Sequence, residues 1–189
     1  NTIAIAEISL NDAYGNDANF PEADLIERVQ LLNKLGYNVM VSDYTRYFSL
    51  RAYFRQYTKM HIGIVVGMIN VKQIFDETFY RGVEGGILEG FGKLFPDNTK
   101  LFVYPERAED GQATTFKEVK VPENLRFLYR HLLENGFISG IECSDPGLFN
   151  IYSREVLKQI PTASKDWQKL VPETVVEEII ERKLFGYRG

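Results

Sequence analysis

The sequence predicts an α/β fold: a Rossmann-like, doubly wound, mainly parallel sheet of about five strands with a C-terminal helical appendage. Three observations lead there. Short apolar runs alternate with amphipathic segments along most of the chain, which is the order of βαβ units. The runs are continuously apolar rather than alternating, as in parallel strands covered on both faces. The 189 residues, 44% hydrophobic and 25% charged, suffice for one core without a metal or disulfide.

The elements follow in order. Thr2–Ile8 reads as a buried strand, and Asn11–Asn19 as a loop of Asn, Asp and Gly. Pro21 opens a helix to about Leu35, with Leu25, Val29 and Leu32 on its apolar face. Gly36 stands at its C-terminal cap position. Asn38–Ser42 is the second strand, Ser49–Thr58 a helix with Ser49 as N-cap, and His61–Gly67 the third strand. Val71–Tyr80 and Gly86–Phe95 read as helices, and Lys100–Tyr104 as the fourth strand. A short hairpin is read around Thr114–Val119. Pro122 starts a helix that Gly136 ends, and Phe137–Ile141 is the fifth strand. Tyr152–Ile160 and the segment from Pro172 to Gly186 are helical with no strand between them. The reading is therefore an α/β domain over 1–147 and a helical appendage over 148–189, packed on the same core.

Charge and motifs exclude several functions. The net charge is −4, against the basic surplus of a dedicated nucleic-acid binder. No apolar run approaches the roughly 20 residues of a membrane span. The single cysteine, Cys143, allows no internal disulfide, and with the acidic charge it points to a reducing, cytoplasmic setting. Two histidines, His61 and His131, do not make a zinc site of several His or Cys ligands, and no residue is assigned as a metal ligand. GxSxG, HExxH and CxxC are absent. No catalytic residue and no particular cofactor emerges. The chain starts at Asn1 with a strand close behind, and we read it as a piece of a longer protein or a processed product.

Ligands of open parallel sheets bind beyond the carboxyl ends of the strands. Those ends offer Glu7 and Asn11 after the first strand, and Ser42, Asp43 and Arg46 after the second. Carboxylates there suit a metal or a ligand hydroxyl; the alternative is that they cap helices or face solvent. Glu84-Gly85-Gly86-Ile87-Leu88-Glu89-Gly90-Phe91-Gly92 is the most unusual stretch. Gly85 and Gly86 stand where a helix begins, so bare amides there suit an anion. Close packing against Gly90 and Gly92 is the competing explanation, since each costs about 1 kcal/mol in a helix. Arg51, Arg55 and Lys59 form a basic stripe that either grips a phosphate or faces water. Tyr44, Tyr47, Tyr53 and Tyr57 surround the same helix, which fits a core or a subunit contact.

The phrases Gly36-Tyr37-Asn38-Val39-Met40-Val41-Ser42, Ile74-Phe75-Asp76-Glu77, Gly85–Gly92 and Leu184-Phe185-Gly186-Tyr187 resemble the C-terminal part of bacterial proteins labelled nicotinate-nucleotide adenylyltransferase-like. The (H/T)xGH and ISTxxR signatures of true adenylyltransferases are absent, so no adenylyl-transfer residue carries over. The resemblance implies an α/β domain of a larger nucleotide-metabolism protein. The expected ligand is a phosphorylated or nucleotide-like small molecule, held by Glu7, Asn11, Ser42, Asp43, Arg46, Arg51, Gly85 and Gly86. The alternative is a non-catalytic assembly module that forms a homo-oligomer.

Overall fold

Parallel strands and helices share the chain, and β3 (Ile62–Val66) leads straight into the helix over Met68–Ile74. The computed structural model describes residues 2–10, 22–96, 98–107, 113–142, 145–162 and 164–189. It is an α/β structure with two open parallel sheets, one of two strands and one of three. The chain divides into two compact units, residues 1–45 with 151–189, and residues 46–150. Each unit has its own apolar cluster.

In the first unit, β1 (Ile5–Ser9) pairs in parallel with β2 (Asn38–Ser42), with Ile5 opposite Asn38. Helix α1 (Glu22–Lys34) joins them. Gly36 closes α1 at φ +86°, where its missing Cβ removes the steric cost of that backbone. Leu31 of α1 packs with Val156, Ile160, Trp167, Ile179 and Leu184. The segment read as an appendage thus shares a core with α1, because α1 turns its apolar stripe to it. Its elements are α6 (Ser153–Gln159) and α7 (Glu173–Arg182).

In the second unit, β3 (Ile62–Val66), β4 (Thr99–Val103) and β7 (Ile138–Gly140) form a parallel sheet in the order β3-β4-β7. Helices α2 (Tyr47–Arg55), α3 (Met68–Ile74), α4 (Gly86–Leu94) and α5 (Arg126–Glu134) belong to the same unit. Val66, Leu101, Val103 and Ile138 are buried in one core with Phe75, Phe91 and Tyr129. The opposite face carries Val65, 63% exposed, and Tyr104, 50% exposed. Burial alternates along these strands, so this sheet is covered on one face, where the continuous runs suggested two. A short antiparallel pair, β5 (Glu106–Arg107) with β6 (Ala113–Thr114), follows β4. It takes the place of the hairpin expected around Thr114–Val119.

Two helix boundaries differ from the sequence reading. Helix α2 starts at Tyr47 with Arg46 as its N-cap residue, so Ser49 lies inside the first turn. The helix expected over 71–80 stops at Ile74 and resumes as a 3-10 turn over Glu77–Tyr80. Asp76 separates the two by accepting a 2.8 Å hydrogen bond from the Thr78 amide, the competition that makes Asp a poor helix-interior residue.

One ion pair links α1 to α7. The Glu178 carboxylate, only 7% exposed, accepts from Lys34 Nζ, and Arg182 lies 3.6 Å away. The hydrogen bond from Lys34 holds Glu178 below the ordinary carboxylate value of about 4.5, and the same bond raises Lys34 above 10.5. Glu178 therefore contributes stability above about pH 4.5, and the contribution is lost as pH falls through its lowered value. Lys34 contributes fully below 10.5, and its share is lost as pH rises through its raised value. Acid denaturation followed by Trp167 fluorescence should show the first limb. Glu178→Gln should flatten it; an unchanged acid limb would remove this pair as its cause.

Candidate functional site

The second unit brings together the residues around the glycine-rich stretch. Arg46, before α2, donates from Nη2 to the Arg81 carbonyl at 2.8 Å, and its guanidinium lies 5.9 Å from the Phe48 ring centre. Phe48 stacks on Tyr80 at 6.1 Å. Arg46 is thereby fixed to the turn that leads into α4. That turn ends in Gly85 and Gly86, and Gly86 takes φ +57°. Helices that precede a parallel strand run against it, which directs this N-terminus toward the carboxyl end of β4.

The Gly85 amide is already engaged. It donates to Glu89 Oε2 at 2.7 Å, and Glu89 in turn accepts from Lys93. The Lys93 ammonium first, and the Gly85 amide second, hold the Glu89 carboxyl below the usual range. A helix N-terminus attracts negative charge, and here the helix supplies its own. Sequence reasoning does not single out Glu89. The signal that finds it is the i, i+4, i+8 spacing of Gly85, Glu89 and Lys93.

The remaining candidates are placed as follows. In the first unit, buried Ser42 donates from Oγ to Glu7 Oε1 at 2.6 Å. Its oxygen also accepts from the Tyr44 amide at 3.3 Å. Asp43 is exposed directly after β2. Asn11 lies outside the described residues. Arg51, in the second unit, donates from Nε to Thr99 Oγ1 at 3.3 Å. Thr99 is the first residue of β4, so Arg51 serves the amino end of the sheet rather than the carboxyl end. Arg55 of the same stripe turns toward that end as well. Arg55 Nη1 donates to the Thr58 and Met60 carbonyls, because α2 runs antiparallel to the strand that follows it.

Among the described residues, no group of His, Cys, Asp and Glu is arranged to hold a metal ion. No helix among them is long and apolar enough to cross a membrane. A cavity lies at the amino ends of β3, β4 and β7, and none of the sequence-predicted site residues lines it. No family model, curated protein or solved structure matches the chain.

Proposed function

We propose that this chain is a ligand-binding α/β domain of a larger bacterial nucleotide-metabolism protein. It takes a phosphorylated or nucleotide-like small molecule at the carboxyl ends of its strands. The observation that carries the reading is the Gly85 amide, which already binds a carboxylate at 2.7 Å beside a turn to which Arg46 is tied. An incoming phosphate replaces the Glu89 carboxylate at that amide, and Arg46 neutralises its charge. The resemblance to nicotinate-nucleotide adenylyltransferase-like proteins supports the same class of ligand. The reading carries with it a Rossmann-like, doubly wound sheet of about five strands, the fold in which carboxyl-end binding is the rule.

A thermal-shift screen of the purified chain against nucleotides, sugar phosphates and inorganic phosphate tests it. Ligand at 100 times Kd stabilises by about 2.7 kcal/mol, which raises the melting temperature by several degrees. Arg46→Ala should abolish most of the shift. Glu89→Gln should increase it, because the competing charge is gone. A flat screen on folded protein, or a shift indifferent to both substitutions, rejects the reading.

A second reading is a non-catalytic assembly module that forms a homo-oligomer. Tyr57 and Met60, 72% and 63% exposed near the end of α2, favour it. Light scattering across a concentration series tests it, and a chain that stays monomeric counts against it.

A further inference from the structure

The amino ends of β3, β4 and β7 line a half-open cavity of about 550 Å³, within the size range of small-molecule sites. In an open parallel sheet this end normally carries only connecting turns, because ligands gather at the opposite end. Three features set this one apart.

The first is charge. The chain holds 26 acidic and 22 basic residues, yet the described lining contains Lys100 and His61 and no carboxylate. Lys100 forms no ion pair among the described residues. Its ammonium instead lies 5.4 Å from the centre of the Phe102 ring.

The second is the treatment of the backbone carbonyls. The amino end of a parallel sheet receives helix C-termini, whose free carbonyls repel an anion. Here two lining asparagines cover nearby carbonyls. Asn135 Nδ2 donates to the His131 carbonyl at 2.8 Å, and Asn98 Nδ2 donates to the Lys59 carbonyl at 3.4 Å. The Leu132 and Leu133 carbonyls accept from the Phe137 and Gly136 amides. Three of the last four carbonyls of α5 are thus engaged from within.

The third is shape. Phe102 and Phe137 give the cavity aromatic walls. Phe102 lies across Gly63, where a Cβ would stand 2.9 Å from its ring. Phe137 packs edge-on against Phe95 at 6.0 Å. Both rings are thus held by their packing neighbours.

We propose that this cavity is a second binding site, for a small anion carried on a planar ring, with Lys100 and His61 meeting the charge and Phe102 and Phe137 the ring. The carboxylate or phosphate pairs with the Lys100 ammonium, a charge-assisted contact. The ring stacks on the aromatic wall, as bases do on exposed aromatic side chains. The inference does not rest on the carboxyl-end reading.

The test is amide NMR on the full chain, titrated separately with adenosine monophosphate and with benzoate. Adenosine and benzamide serve as the uncharged counterparts. At least one anion should shift the Gly63 and Gly136 amides saturably, with its neutral counterpart at least about tenfold weaker. Lys100→Met keeps the stem over Phe102 and removes the charge. It should weaken the anion about tenfold, while Arg46→Ala leaves these shifts unchanged. If the Met variant unfolds early, Lys100→Gln repeats the comparison. No saturable shift at Gly63 and Gly136 from either anion overturns the proposal. So does equal binding of the neutral counterparts or indifference to the loss of charge. Shifts confined to Gly85 and Gly86 would support the carboxyl-end site and sink this one.

Discussion

Trp167→Ala should destabilise the first unit by about 3–5 kcal/mol, the usual cost of emptying a large aromatic from a core. Trp167 is fully buried and meets Tyr187 edge-on at 6.0 Å. It packs in one cluster with Leu31 of α1 and Ile179 of α7. Truncation removes the apolar surface that joins the N-terminal helix to the C-terminal ones. The Trp167 indole Nε1 is buried and has no hydrogen-bond partner among the described residues, and a buried unpaired donor costs about 1–3 kcal/mol. Trp167→Phe sheds that donor and keeps a ring, so it should cost clearly less than the alanine. Urea titration followed by far-UV circular dichroism gives both values. Leu31→Ala, read by the fluorescence of this sole tryptophan, should move the same transition by about 2–5 kcal/mol. A transition unmoved by Leu31→Ala would mean that α1 and the C-terminal helices do not share a core.

The second large effect is at Gly90, where alanine should destabilise by about 1–3 kcal/mol, the range for overpacking. A Cβ there would stand 2.1 Å from Tyr80 Cε1. Tyr80 has little room to yield. It is buried, its hydroxyl donates to the Ile74 carbonyl at 2.7 Å, and its ring stacks on Phe48. Burial also pushes its phenol well above the ordinary value of 10. The intrinsic gain of alanine over glycine in a helix, about 1 kcal/mol, offsets only part of the clash. Two positions on, a Cβ at Gly92 would meet nothing within 4 Å. Gly92→Ala should therefore stabilise by about 0.5–1 kcal/mol. Opposite signs from two glycines in one helix make a sharp pair. Equal effects in thermal melts would contradict the packing of Tyr80 on α4.

The Gly90 and Gly92 pair also marks where sequence reasoning stops. Close packing is legible as a need, because two helix-interior glycines carry a cost that something must offset. Which of them is packed, and against what, is not. The neighbour is a side chain six residues past Ile74, on a 3-10 turn that the apolar pattern merges into the preceding helix. Asp76 is the local sign of that break, but its effect depends on competing hydrogen bonds rather than on periodicity.

The candidate site divides in the same way. Gly85 and Gly86 at a helix start, and Ser42 and Asp43 at the end of β2, follow from local signals; Glu7, expected at a strand end, is instead the middle residue of β1, which runs on to Ser9. Glu89 does not follow from such signals, because a carboxylate four residues into a helix looks like any solvated residue until its partner amide is known. Arg51 was placed at the wrong end of the sheet because a stripe along α2 has no direction until the following strand is set beside it.

The alternation of apolar runs and amphipathic segments was enough to establish an α/β chain with parallel strands, most of its helices, and the glycines that close α1 and α5. These are local properties: periodicity, φ preference and strand length act within one or two turns of the chain. The division into two units, the core shared by α1, α6 and α7, the ring of Tyr80 over Gly90 and the cavity at the amino ends arise from contacts between distant segments. Leu31 and Trp167 are 136 positions apart in the numbering, and no periodicity connects them. Their pairing is decided by which apolar faces can be buried together, and that is a property of the folded chain alone.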